Sequence, residues 1–452
     1  MRKVVLILVL VLTVNAFSQN KQVLYDFAGL PQTLLLNPGL ETNLKFHIGL
    51  PLISGFSAEI GSTGFSVADI FADDGRDINE KIASLLENVD SKDYLKLNTQ
   101  IEVFSAGYHF NDKTYLSIGF YEELDFIFFL PKDVLTLATE GNITPLGRSF
   151  DFSHLNLNAD FLGVIHAGIT RKVNKKLTIG GRLKIYSSAI NVESINNSGT
   201  FRTIPGENNI SVSKLENINV TYKTTGIADS SGGSVLANTF LGGNLGLGGD
   251  VGFSYRVTPQ LKVSGSFVDF GFINHSKNIE NTTRIGDFET DGINLQYDAN
   301  DDYFDYWKQL NDDFKAAIPE LTNEDSYMAW RPSKLNAAVK FSFGETRSQY
   351  CYDRTFKETY TDAFGVQLYS LFRSLRNEYA FTGFYEKSLT TKVHAKLTYT
   401  VDNYSYNNIG LGVSAQFWNM NFYGILDNIA ELSDISSAKN VSLQFGFNLL
   451  FN

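Results

Sequence analysis

Chemistry in this chain would have to come from a small set of residues: six histidines, two acid-rich stretches, one glycine-rich run and a set of regularly spaced basic side chains. The histidines are His47, His109, His154, His166, His275 and His394. None stands in an HExxH pattern or another close pair able to share a zinc ion. No GxSxG occurs, so the nucleophile elbow of hydrolases is absent. The run Gly242-Gly-Asn-Leu-Gly-Leu-Gly-Gly249 lacks the Lys-Ser/Thr and the strand-then-helix setting of a phosphate loop. Glycine in a strand more often marks a bend or a close approach of other backbone. Asp73-Asp-Gly-Arg-Asp77 and Asp298-Ala-Asn-Asp-Asp302 lack the alternating oxygens and closing Glu of a calcium loop. The reading is therefore non-enzymatic, with no catalytic residue, no cofactor and no metal assigned.

The basic residues carry more information. Arg182 and Lys184 alternate with Leu183 and Ile185, Lys340 lies between Val339 and Phe341, and Lys392, His394 and Lys396 alternate with Val393, Ala395 and Leu397. A charge at every second position is costly in a dry core but ordinary in the wet interior of a membrane barrel. These six are the candidate lumen-lining residues. Two roles are open to them. They could draw in an anionic or carboxylate-headed solute. Equally, they could pair with inward acids such as Glu102 or Asp250 and hold a closed barrel rigid.

The elements that must position them are strands. The last, Val441–Phe451, puts Val441, Leu443, Phe445, Phe447, Leu449 and Phe451 on one face and Ser442, Gln444, Gly446 and Asn448 on the other. Alternation over ~10 residues is what a tilted strand needs to cross a bilayer with one face in lipid. Leu335–Phe343 and Lys392–Val401 repeat the pattern. Thr42–Gly49 and Ile53–Gly61 read as a first hairpin, and Tyr350–Tyr360 as a possible extra strand. Short turns at Asn111–Lys113, Val173–Lys176, Thr258–Gln260 and Lys387–Thr391 alternate with long connections at 62–96, 124–154, 190–239 and 274–333. That is the outer-membrane arrangement of tight periplasmic turns and long outside loops. Asp77–Val89 and Asp305–Leu321 carry helical spacing, with Asp77 as N-cap of the first, and 190–238 reads as a mobile loop or β-ribbon. The expected fold is all-β: an antiparallel barrel of about 14 strands, with 16 possible, spanning residues 41–452.

The ends agree. Arg2 and Lys3 precede an apolar run, Val4 to Val14, too short to span a bilayer and followed by Ala16 and Ser18. Residues 1–18 read as a signal peptide, leaving Gln19 first. Residues 19–40 are too apolar for a free tail and too irregular for a strand, and Asn37-Pro38-Gly39 signals a turn. This segment is expected to fold back as a plug. Aromatics make up 13% of the chain and prolines number only 9, which suits long strands with an apolar belt. A net charge of −11 argues against nucleic acid as a partner. It suits loops facing lipopolysaccharide in the outer membrane. Cys351 is the single cysteine, so no internal disulfide forms.

Gly29-Leu-Pro-Gln-Thr-Leu-Leu-Leu-Asn-Pro-Gly39, Phe46-His-Ile-Gly-Leu-Pro-Leu-Ile-Ser54 and Gly61-Ser-Thr-Gly-Phe-Ser66 resemble an uncharacterised family of Bacteroidota outer-membrane barrels. More distantly, the Asn-Pro-Gly turn is similar to the Asn-Pro-Ala segment of FadL-type channels and of PorV- and PorP-like barrels of type IX secretion. The resemblance implies a FadL-like 14-stranded barrel with its N-terminal segment inside. Two functions follow as expectations. One is passage of a small hydrophobic or amphipathic solute. The other is an accessory barrel in a secretion or assembly complex, its long loops serving as partner surfaces.

Overall fold

The computed structural model describes residues 21–451 except 67, 70–71, 73, 143–145, 228–231, 293–305, 347–358 and 430–437. The signal-peptide reading of residues 1–18, Gln19 as first residue, Cys351 and most of the proposed extra strand at 350–360 fall outside these.

β1 (Phe46–Gly49) and β2 (Phe56–Ser62) open a wall that continues through β3 (Tyr94–Asn111) and β4 (Thr114–Phe129). The short β5 (Ser149–Asp151) stands outside it, and β6 (Asn156–Lys172) and β7 (Leu177–Pro205) return to it. β8 (Ser211–Thr225) lies beyond the wall, whereas β9 (Asn244–Arg256) and β10 (Leu261–His275) belong to it. β11 (Ile279–Thr290) and β12 (Glu320–Asn323) lie beyond it again. β13 (Tyr327–Trp330) and β14 (Ser333–Thr346) lead into β15 (Thr359–Phe372), β16 (Glu378–Ser388) and β17 (Val393–Val401). β18 (Asn408–Phe417), β19 (Met420–Asp427) and β20 (Asn440–Phe451) complete it. β20 closes on β1 and β2, and β1 with β2, like β13 with β14, forms one strand in two pieces. The result is a closed antiparallel barrel of 14 strands.

Side-chain alternation sets which face of each strand meets lipid. On β20, Leu443, Phe445 and Phe451 are exposed while Ser442, Gln444 and Asn448 are buried. The same outward apolar row recurs at Leu183, Val251, Leu335, Val366 and Leu397. A closed wall with an apolar outside and a polar inside has no unpaired edge to satisfy in hydrocarbon. The protein is a membrane-spanning barrel of the outer-membrane kind. Among the described residues no helix is long and apolar enough to cross a membrane.

One expectation fails. Thr42–Gly49 and Ile53–Gly61 do not form a hairpin, because β1 and β2 both pair with β3 on one side and β20 on the other. They are one strand with a break. Residues 50–55 separate Gly49 from Phe56, whereas only Gly446 and Phe447 separate their β20 partners, Asn448 and Phe445. The surplus loops outward at Leu52, 59% exposed and at φ 66°, and turns in again at Ser54, which is buried.

Beyond the long-loop end, β7 runs on to Pro205 and pairs with β8, which pairs with β11 and then β12, making a ribbon above the barrel. Among the described residues, the long connections carry the helices α1 (Ile78–Asn88), α2 (Lys132–Glu140), α3 (Gly232–Ala237) and α4 (Tyr306–Ala317). α1 is capped by Asp77, whose Oδ1 accepts from the Asn79 N–H at 2.8 Å.

Candidate functional site in the barrel lumen

Residues 21–44 fill the interior. Their backbone joins no ladder, since Lys21, Asp26 and Ala28 sit at φ 56°, 53° and 51° and only Pro31–Leu35 forms a short 3-10 turn. A buried backbone without a ladder needs other partners. Turns within the segment supply some, such as the Leu36 N–H to the Thr33 carbonyl at 3.0 Å, and the wall supplies others from its side chains. Arg182 donates to the Leu34 carbonyl at 2.7 Å, Ser266 to Leu36 at 2.6 Å, Thr170 to Pro38 at 2.7 Å and Ser254 to Gly39 at 2.9 Å. Lys396 donates to Tyr25 at 2.7 Å and Lys340 to Asp26 at 3.2 Å.

Apolar contacts add to these bonds. Val23, Leu24, Phe27 and Leu30 pack on Tyr423 and Ile425 of the wall, and Leu34 and Leu40 on Tyr115. Leu35 packs against Tyr121, Leu162, Val164, Tyr186 and Ile273. The cavity left between the segment and β2, β3 and β20 is only about 20 Å³.

Asn37, Pro38 and Gly39 form a turn pressed onto the wall. Asn37 Oδ1 accepts from the Gly39 N–H at 2.8 Å, and its Nδ2 donates to Tyr25 Oη at 2.8 Å and to the Phe253 carbonyl at 3.2 Å. The wall meets this turn with Gly180 and Gly252. A Cβ at Gly180 would stand 1.8 Å from the Pro38 carbonyl oxygen, and one at Gly252 would stand 2.1 Å from Asn37 Oδ1. Glycine is present here because backbone approaches backbone.

The basic candidates separate by position. Arg182 and Lys184 both meet Asp250, at 3.2 and 2.9 Å, and Lys184 also pairs with Asp269. Lys340 pairs with Glu386, and Lys396 lies 4.5 Å over the Phe384 ring. His394 is half-buried, 2.9 Å from Ser388 Oγ. Lys392 stands exposed in the turn between β16 and β17. Four of the six thus hold acids or plug carbonyls inside the barrel.

Sequence reading missed the larger part of the network. Arg331 pairs with Glu123 at 3.0 Å and Asp160 at 3.4 Å, and Arg373 with Asp125 at 2.8 Å and Glu378 at 3.3 Å. Lys96 joins Glu59 and Glu378 at 3.2 and 2.9 Å, and Lys334 joins Asp269 at 2.8 Å. Lys334 shares the inward parity of Lys340 and could have been found by extending that alternation. Arg331 and Arg373 lie at strand ends, where parity gives no signal. Together these pairs cross the lumen on its long-loop side.

Above them, at the mouth, is a cavity of about 420 Å³. Ile127, Phe129, Met328, Trp330, Phe372 and Leu375 supply apolar lining, and Asp125, Asp160, Glu193, Arg331 and Arg373 supply charge.

The family model for DUF5723, a family of unknown function, matches residues 38–427. The chain belongs to that family. No curated protein matches this DUF5723 member. Solved structures similar to it include the toluene transporter TbuX of Ralstonia pickettii, at 11% identity, covering 98% of this chain and 100% of that one, with a TM-score of 0.45. A FadL homologue of Pseudomonas aeruginosa is similar at 8% identity, 91% and 90% coverage and a TM-score of 0.40. The translocator domain of the autotransporter NalP from Neisseria meningitidis reaches 7% identity, 97% and 100% coverage and 0.35. These likenesses are too low to transfer a solute to the DUF5723 barrel.

Proposed function

We propose that this barrel passes a small hydrophobic or amphipathic solute across the outer membrane, admitting it at the mouth and releasing it when residues 21–44 shift. One observation carries the reading: the segment closing the lumen is not part of the wall. Its own turns and wall side chains, not ladder bonds, hold its backbone, so it can move while the 14-stranded ring stays intact. The apolar mouth lining and the patch of Tyr121, Leu162, Val164 and Ile273 facing Leu35 suit an apolar body. The long-loop rim faces lipopolysaccharide in this reading. An accessory role in secretion has no observation of its own behind it.

The test is a cross-link. Gln367 Nε2 donates to Gln22 Oε1 at 2.6 Å, so the two side chains meet, and cysteines at both positions, with Cys351→Ser, can be bridged by a short bis-methanethiosulfonate to tie the segment to β15 (the oxidised form) and freed again by reduction. Uptake of labelled toluene is measured in vesicles carrying lipopolysaccharide in the outer leaflet. The reduced protein should raise uptake above protein-free vesicles and the oxidised protein should not. Equal uptake in both states, or none above background, refutes the proposal.

A further inference from the structure

We infer that the mouth cavity selects an amphipath with a cationic head, an alkyl- or arylammonium, and disfavours a carboxylate. This rests on the passage reading and names its substrate class. Only two cations line the cavity, Arg331 and Arg373, and both already hold acids. Arg331 spends its terminal nitrogens on Glu123 and Asp160 at 3.0 and 3.4 Å, and its Nε is shielded from solvent without a partner. Arg373 holds Asp125 at 2.8 Å and, beneath the floor, Glu378 at 3.3 Å. A carboxylate head would have to displace an acid that these guanidiniums already hold, or share a guanidinium with one beside Asp160 and Glu193. Either course is costly where water is partly excluded.

The acids are not balanced in the same way. Asp125, Asp160 and Glu193 line the cavity against the two guanidiniums, each of which also serves an acid outside the lining. Among the described residues Glu193 has no basic nitrogen within ion-pair distance. Lys223 stands directly opposite Glu193 in the β7–β8 register, but its ammonium lies 4.9 Å from the Tyr327 ring centroid and forms no ion pair with that carboxylate. Asp160 Oδ1 accepts from Asn191 Nδ2 at 2.8 Å, which orients that carboxylate at the base of the same wall. An ammonium donates three hydrogen bonds and accepts none, matching a head site that offers acceptors. The tail then lies along Phe129, Phe372 and Leu375, whose aromatic faces also tolerate a neighbouring cation.

The experiment measures binding and not transport. Purified barrel in neutral detergent is titrated calorimetrically with hexylammonium and, separately, with hexanoate. Hexylammonium should bind about tenfold more tightly, the scale of one favourable contact at a partly wet site. Glu193→Gln should cut that preference to within about threefold, with the unheated gel mobility of the folded barrel as the check on integrity. Hexanoate binding as tightly as hexylammonium, or a preference unchanged in Glu193→Gln, overturns the inference. Failure of toluene uptake with the head-group preference intact would fault the passage reading alone. Uptake with no preference would fault this inference alone.

Discussion

A single methyl group at Gly180 should unseat the plug. In an open strand Gly→Ala gains roughly 0.5–1 kcal/mol by lowering backbone entropy in the unfolded chain. Here the sign reverses, because the new Cβ would stand 1.8 Å from the Pro38 carbonyl oxygen, a backbone atom, where real contacts stay beyond 3.0 Å. The turn must retreat by more than an ångström. That breaks the bonds from Thr170 to Pro38, Ser254 to Gly39 and Asn37 to Phe253, at 2.7, 2.9 and 3.2 Å. At about 1 kcal/mol each, the loss is ~3 kcal/mol, or some two powers of ten in the plug's open population. The assay is labelling of Leu34→Cys, a position buried in the closed state, in a Cys351→Ser background with a charged maleimide, whose rate follows the open fraction when closing is fast. Gly180→Ala should label about a hundredfold faster than its parent. Gly181→Ala is the control, since its Cβ would meet nothing nearer than 3.7 Å. Equal labelling in the two variants would refute the argument that Gly180 exists for the plug.

Three further outcomes are expected. Asp269→Asn leaves Lys334 without its carboxylate and Lys184 with Asp250 alone, and should cost roughly 2–3 kcal/mol in urea unfolding from micelles; an unchanged midpoint would show the pairs to be incidental. Gln32→Ala removes donations to the Ser54 carbonyl, Glu102 and Asn448 at 3.0, 3.1 and 2.9 Å, and should lower the temperature at which the barrel loses its folded gel mobility. In the loop after β17, burial raises the Asp402 carboxyl to about 6 although the Tyr404 and Ser405 N–H groups donate to it. The folded state then binds the proton more tightly than the unfolded chain, so stability should fall as pH rises from about 4 to 6. Asp402→Asn should flatten that slope, and a slope that persists would assign it elsewhere.

What could be read without coordinates was whatever repeats locally. The alternation of Val441–Phe451, Leu335–Phe343 and Lys392–Val401 reports one inside and one outside, and α1 shows its apolar spacing and its Asp77 cap within a dozen residues. The broken first strand could not be read, because both halves alternate properly around Pro51. Only their shared partners on β3 and β20 reveal that they run on in one direction. Pairing inside the lumen was equally hidden. Whether Lys184 meets a solute or Asp250 depends on which strands the ring makes neighbours, and Arg331 and Glu123 find each other across the lumen, far apart in sequence. The mouth cavity is assembled from five separate stretches, none of which has a signature of its own.

Gln32 also bears on time. Its amide touches Ser54 of the first strand, Glu102 of the second and Asn448 of the last, 416 positions away in the chain. That junction is where the two ends of the wall meet, and it exists only once both have been made. The Gln32 amide must therefore wait for its Asn448 partner until the final strand arrives. Closing the cylinder and completing this anchor are then a single event, and a chain stalled before its last dozen residues would have neither a closed wall nor a finished Gln32 junction.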